Sequence, residues 1–144
     1  MGKQELIDVL LIELMYSHKE KDLMIRHSAD FYSGSPVVIR EPIAAEYIAG
    51  YLKSKGISCD VIQQTTDKDE EILHYIEKIK PKILGVSVHS THIFPRVLKF
   101  LNVCKERFPQ MIIVLGGNHP TCMPEIAGEN CIDYVVGGKK LFAN

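Results

Sequence analysis

Ser87, Ser90 and Thr91 close one apolar run, and Gly116, Gly117, Asn118, His119 and Thr121 follow a second; together they hold most of the candidate chemistry of this chain. The runs are ILGVSVHSTH, Ile83 to His92, and IIVLGGNHPT, Ile112 to Thr121. Each is rich in β-branched residues and stops at small, polar ones. The hydroxyls offer uncharged donors and acceptors, suited to amides, a ribose or a nucleotide base. Adjacent glycines leave the backbone bare, so a flat or bulky ligand can approach the peptide plane. The plainer readings are a structural hydroxyl at Ser87 and a tight strand exit at Gly116-Gly117. A third run, Ile132 to Val136, ends in Gly137-Gly138.

The elements that must position these residues alternate along the chain. Leu6 to Leu14 reads as a buried strand. Met15 to Arg40 has no clear period and is too long for an ordinary strand-to-helix connection, a length that usually signals function or disorder. Pro42 suits a first helical turn, Ile43, Tyr47, Ile48 and Leu52 would form its apolar face, and Gly56 its stop. Ile57 to Ile62 is the next strand. Asp67 and Glu70 resemble a capping box for a helix with Ile72, Ile76 and Ile79 inward, closed by Pro81. After the strand Ile83 to Val88, a helix from about His92 to Arg107 carries Phe94, Val97, Leu98, Leu101 and Cys104 on one stripe. Met111 to Leu115, a short helix after Pro124, and Ile132 to Val136 complete the order. Strands alternating with helices imply right-handed crossovers and an α/β fold. The expectation is an open parallel five-stranded sheet, Rossmann-like or flavodoxin-like, with helices on both faces and the strand order left open. In such sheets ligands bind outside the carboxyl ends of the strands.

Composition narrows the function by exclusion. At 144 residues the chain reads as one domain, able to bury roughly 68–70% of its unfolded surface. A net charge of −1 leaves no basic field for nucleic acid. No apolar run approaches a membrane span, and MGKQELID lacks a signal-peptide core, so a cytoplasmic location is the default expectation. Cys59, Cys104, Cys122 and Cys131 have neither CxxC nor CxxxCxxC spacing, so no iron–sulfur cluster is expected. Cys59 and Cys104 fall on apolar-periodic positions and read as reduced core residues.

Motifs exclude further classes. There is no GxxxxGK[ST] loop and no GxGxxG after the first strand, where Leu14-Met15-Tyr16-Ser17-His18 stands instead. The third strand ends in His-Ser-Thr, which cannot carry a receiver-type aspartyl phosphate. GxSxG is missing, although Gly85-Val86-Ser87 begins like it. The architecture also hosts flavodoxins, nucleotide binders and corrinoid binders, so the fold alone does not choose among them.

Taken together, GVSVHSTH, IIVLGGNHPT and IDYVVGG resemble the cobalamin-binding domain that precedes the catalytic domain in many radical S-adenosylmethionine (SAM) enzymes. The resemblance spans about Leu6 to Gly138 and is strongest from Ile83 onward. Ser87 and Gly116-Gly117 hold the places of the family's serine and glycine pair; Gly116, Gly117, His119 and Thr121 match its GGxHxT; Asp133 to Gly138 match its last segment. It implies a cobalamin-binding domain over residues 1–138, with the corrin over the carboxyl edge of the sheet. The nucleotide tail would lie near Ser87 and Gly116-Gly117, with Ser90, Thr91, Asn118, His119, Thr121, Gly137 and Gly138 around it. Met15 to Arg40 would line or cover the corrin.

The departures are informative. Other cobalamin enzymes carry DxHxxG after the first strand, whose histidine binds cobalt. Here His18 lies near that place without the Asp before it or the Gly after it. Its plain reading is a solvated loop histidine, and the axial ligand is the alternative. For His119 the resemblance leaves open tail contact, loop hydrogen bonding or support from behind. After Gly138 only KKLFAN follows, residues 139–144, where a radical SAM domain with CxxxCxxC would begin; that partner is expected in cis or in trans. Two other readings stand beside this one. The first is a flavodoxin-like scaffold or small-ligand sensor without a corrinoid. The second is a hydrolase or transferase using Ser87 or Ser90 with His89, His92 or His119, which no Ser-His-acid spacing supports.

Overall fold

A computed structural model describes residues 6–15, 42–65 and 68–144. They build a six-stranded sheet in the order β2-β1-β3-β4-β5-β6. The strands are β1 Val9–Met15, β2 Cys59–Thr65, β3 Ile83–Ser87, β4 Ile112–Gly116, β5 Tyr134–Gly137 and β6 Lys140–Ala143. The first five run parallel and β6 pairs antiparallel with β5. The helices are α1 Ile43–Ser54, α2 Asp69–Ile79, α3 Phe94–Arg107 and the short α4 Asn118–Cys122. The Rossmann-like, flavodoxin-like reading therefore stands, with one strand added.

Alternation along the strands separates two packed layers. Leu10, Ile12 and Leu14 of β1, Leu84 and Val86 of β3, and Ile113 and Leu115 of β4 face α2 and α3, which contribute Ile72, Ile76, Val97, Phe100, Leu101 and Cys104. The opposite face is smaller: Val9, Leu11, Cys59, Val61 and Ile83 meet α1 through Ala49 and Leu52.

Three expectations need correction. The face of α1 was read as Ile43, Tyr47, Ile48 and Leu52, yet Ile43, Tyr47 and Ile48 are exposed while Ala45 and Ala49 are buried. Small residues let the helix approach the sheet, so the seam runs along 45, 49 and 52 and the larger side chains turn outward. The helix expected from His92 begins as a 3-10 turn, Thr91–Ile93, before α3. The sheet has six strands rather than five: Gly138, at φ 59°, turns the chain into β6 with Gly137 and Lys140 in register, the place for glycine in a two-residue hairpin. The proposed capping residue Asp67 lies outside the described residues, as does nearly all of Met15 to Arg40.

Polar pins hold the two ends of the sheet. At the amino edge, Lys82 Nζ donates to Asp8 Oδ1 at 2.7 Å and Ser58 Oγ donates to Asp8 Oδ2 at 2.7 Å. Together these donors lower the Asp8 carboxyl to about 2. Between β4 and β5, Asp133 Oδ2 accepts from Ile113 N–H at 2.7 Å and from Lys105 Nζ at 2.6 Å. The Asp of the IDYVVGG segment is thus a strand-pairing residue.

All four cysteines are free, and only Cys122 is exposed. Burial raises the thiols of Cys59 and Cys131 and pushes Cys104 up to about 12. A thiol-specific reagent at neutral pH should therefore label Cys122 rapidly in the native protein and all four cysteines only after unfolding. Rapid native labelling of Cys104 would contradict this packing.

Candidate functional site

β3 leaves the sheet through Val88, which is fully buried. Its N–H donates to the Gly116 carbonyl at 2.8 Å, and its own carbonyl accepts from His119 N–H at 3.0 Å. The chain leaving β4 must therefore cross the Val88 backbone directly. Gly117 permits the crossing: its φ is 107°, and a Cβ there would stand 2.6 Å from the Val88 carbonyl oxygen. The left-handed region favours glycine on steric grounds alone. The two glycines, read from sequence as serving one purpose, thus have different ones. Gly117 serves the backbone crossing, whereas no atom of the described residues lies within 4 Å of a Cβ built on Gly116. Gly116 is also the register partner of Ser87. The bare position and the hydroxyl-bearing one stand side by side.

Around this crossing the remaining candidates divide by what holds them. His119 is 4% exposed, and its ring centroid lies 4.5 Å from that of Phe94. Its Nδ1 is 3.1 Å from Thr91 Oγ1. Nε2 is buried and has no partner among the described residues. Thr121 Oγ1 donates to the Gly117 carbonyl at 2.8 Å, closing the turn from inside. Ser90 Oγ accepts from His92 N–H at 3.3 Å and caps the 3-10 turn. Gly137 lies against α4 and β6: a Cβ there would stand in ordinary contact, 3.5 Å, with the Pro120 carbonyl oxygen and Thr121 Cα, and 3.3 Å from Phe142 Cε2. Gly138 is occupied with the hairpin.

The carboxyl edge therefore brings together Ser87, Ser90, Thr91, Gly116, Gly117, Asn118, His119 and Thr121, with Gly137 against α4. Ser87, Gly116 and Asn118 keep accessible surface with no side-chain hydrogen bond among the described residues, and Thr91 is exposed while sharing its hydroxyl with His119. His18 lies outside the described residues. No serine hydroxyl among the described residues bonds to an imidazole, which leaves the hydrolase reading without its first requirement.

Sequence reading missed a polar pair at the same edge. Glu13 of β1, register partner of Ser87, has Oε1 3.3 Å from His89 Nδ1. On the other side, Gln63 Nε2 donates to Glu13 Oε2 at 3.4 Å. The signal was a lone acid at an alternate position of an apolar strand, whose partner lies far along the chain. No three metal-binding side chains converge among the described residues. An apolar groove lined by Ile76, Pro81, Phe108 and Met111 lies at the opposite, amino edge.

Residues 33–140 match the family model of the B12 binding domain, and the chain belongs to that family. The anaerobic magnesium-protoporphyrin IX monomethyl ester cyclase of Rubrivivax gelatinosus is 35% identical over 104 residues, covering 68% of this chain and 18% of that enzyme. The chain thus spans a small part of that relative's length. A crystal structure of a cobalamin-binding protein from Desulfitobacterium hafniense DCB-2 aligns with a TM-score of 0.49 at 12% identity, over 84% of this chain and 50% of that one.

The crossing makes a paired prediction. Gly117→Ala should cost at least about 2 kcal/mol, from the positive φ and the Val88 clash, whereas Gly116→Ala should stay within about 0.5 kcal/mol of the parent. His119→Ala, which empties a packed site and frees Thr91, should cost about 2–3 kcal/mol. Urea unfolding of the three variants decides the matter; equal stability of the two glycine variants would refute the crossing.

Proposed function

We propose that this member of the B12-binding family holds cobalamin across the carboxyl edge of its sheet and presents it to a radical SAM catalytic domain, in cis or in trans. The observation that carries the proposal is the side of Gly116 left open by the described residues, beside Ser87 at the carboxyl ends of β3 and β4. A flat heterocycle needs such a strip of bare backbone with a single polar anchor. Ser87 is the anchor for the nucleotide tail. Thr91 adds a second hydroxyl, oriented by His119. Asn118 stands exposed at the rim for amide groups of the macrocycle.

The fit extends to the buried imidazole. His119 Nε2 has no protein partner among the described residues, and a buried polar atom left so is one that a ligand group or an ordered water satisfies. His119 is a support rather than a cobalt ligand, because Phe94 and Thr91 enclose it. Ser90, Gly117, Thr121, Gly137 and Gly138 act one step back, fixing the turns that carry the contacting residues.

A bound corrinoid supplies the cobalt chemistry, methyl carriage or electron relay; the protein supplies position and environment. Ser87, Thr91 and Gly116 orient it, and the buried layer beneath Val88 keeps water from below. The substrate belongs to the catalytic domain. No helix among the described residues is long and apolar enough to cross a membrane, and the low net charge of −1 gives nucleic acid no purchase.

Titration of the purified chain with hydroxocobalamin, followed by its visible spectrum and by co-elution in size exclusion, tests the proposal. The parent should retain the corrinoid, and Gly116→Val should weaken retention at least roughly tenfold with an unchanged circular dichroism spectrum. Failure of the folded parent to bind would overturn the assignment; parental affinity in Gly116→Val would overturn the location of the tail.

A further inference from the structure

β1 is second in the strand order, with the edge strand β2 on one side and β3 on the other. α1, which leads into β2, packs on one face of the sheet and α3, which leads into β4, on the other, and the carboxyl ends of β1 and β3 border the crevice where open α/β sheets take their ligands. Glu13 occupies this point on β1. It is paired in register with Gln63 on β2 and Ser87 on β3. Its side chain is 18% exposed and spans the crevice floor between Gln63 Nε2, 3.4 Å from Oε2, and His89 Nδ1, 3.3 Å from Oε1. The His89 side chain remains 47% exposed.

A carboxylate beside one ring nitrogen holds the proton on that nitrogen and leaves the other with its lone pair, and metal-bound histidines characteristically have such a carboxylate or carbonyl partner. With Nδ1 turned to Glu13, Nε2 of His89 is the donor that remains, and it makes no hydrogen bond among the described residues. The corrin macrocycle already supplies the equatorial nitrogens, so a single protein donor suffices. A converging cluster of ligands is not needed, and none exists among the described residues. Neither of the other described imidazoles at this edge competes: His119 is buried against Phe94, and His92 has no carboxylate partner among the described residues.

We infer that His89, oriented by Glu13, is an axial nitrogen ligand to the cobalt of the bound corrinoid. The inference rests on the cobalamin assignment above. Nε2 of His89 donates its lone pair in place of the nucleotide base or a solvent molecule. The Nδ1 proton stays on the ring toward Glu13, and cobalt keeps its oxidation state. His89 is the ligand and Glu13 the positioning residue.

The test uses the full chain made with ordinary or nitrogen-15-labelled histidine, loaded with hydroxocobalamin and reduced chemically to the Co(II) state. Electron paramagnetic resonance then reads the axial nitrogen. With ordinary histidine each cobalt line should split into a triplet; with the label it should become a doublet. His89→Ala should still retain the corrinoid through the tail slot and lose the doublet, with its fold verified by circular dichroism. Glu13→Gln should keep the nitrogen splitting but bind exogenous imidazole in its place more readily.

A triplet unchanged by labelling would mean that the nucleotide base stays on cobalt, and absent splitting that no nitrogen does. Either overturns the role of His89 and leaves the cobalamin assignment standing. A doublet that survives in His89→Ala would transfer the role to another histidine. A parent chain that retains no corrinoid would remove both the assignment and this inference.

Discussion

The backbone crossing of Gly117 over Val88 is the constraint on which the rest of the site depends. Two hydrogen bonds, Val88 N–H to Gly116 and His119 N–H to Val88, lock the exits of β3 and β4 together. The lock has room for no side chain at 117. Once it is made, Ser87 and Gly116 are fixed side by side, and α4 starts where His119 meets Thr91. Local turn chemistry, the N-cap of Ser90 and the inner hydroxyl of Thr121, then rigidifies both loops. A ligand meeting this edge finds its contacts already placed, so little ordering remains to oppose binding.

The division of labour follows from burial. Everything beneath the edge is spent on packing: Leu84, Val86 and Val88 of β3 and Ile113 and Leu115 of β4 lie in one core with α2 and α3. Among the described residues the edge itself is mostly small and polar, Ser87, Ser90, Thr91, Gly116, Gly117 and Asn118, with the Glu13–His89 pair beside them. That pair lies at the crevice between β1 and β3, with Gln63 restraining the carboxylate from β2. The site thus combines a bare strip, a hydroxyl rim and a single polarised imidazole within the reach of one bulky ligand.

Much of this was legible in the sequence, for definite reasons. β-branched runs ending in Ser or Gly-Gly marked the strands and the edge, and the α3 stripe of Val97, Leu101 and Cys104 appears as read. The seam of α1 was misread because alanine contributes little to an apolar pattern, although Ala45 and Ala49 are what the sheet accepts. β6 was missed because KKLFAN carries no alternation strong enough to announce an edge strand. The purpose of Gly117 could not be separated from that of Gly116 without the strand register. The Glu13–His89 contact joins residues brought together only by the parallel pairing of β1 with β3.

The most direct measurement of the account is the ligand footprint on the backbone, read as amide shift changes in nitrogen–proton correlation spectra of the chain on adding hydroxocobalamin. The account predicts changes concentrated at Ser87 to Thr91 and Gly116 to Thr121, with Glu13 and Gln63 beside them. Changes centred on the amino-edge groove of Ile76, Phe108 and Met111, with the carboxyl edge undisturbed, would contradict it.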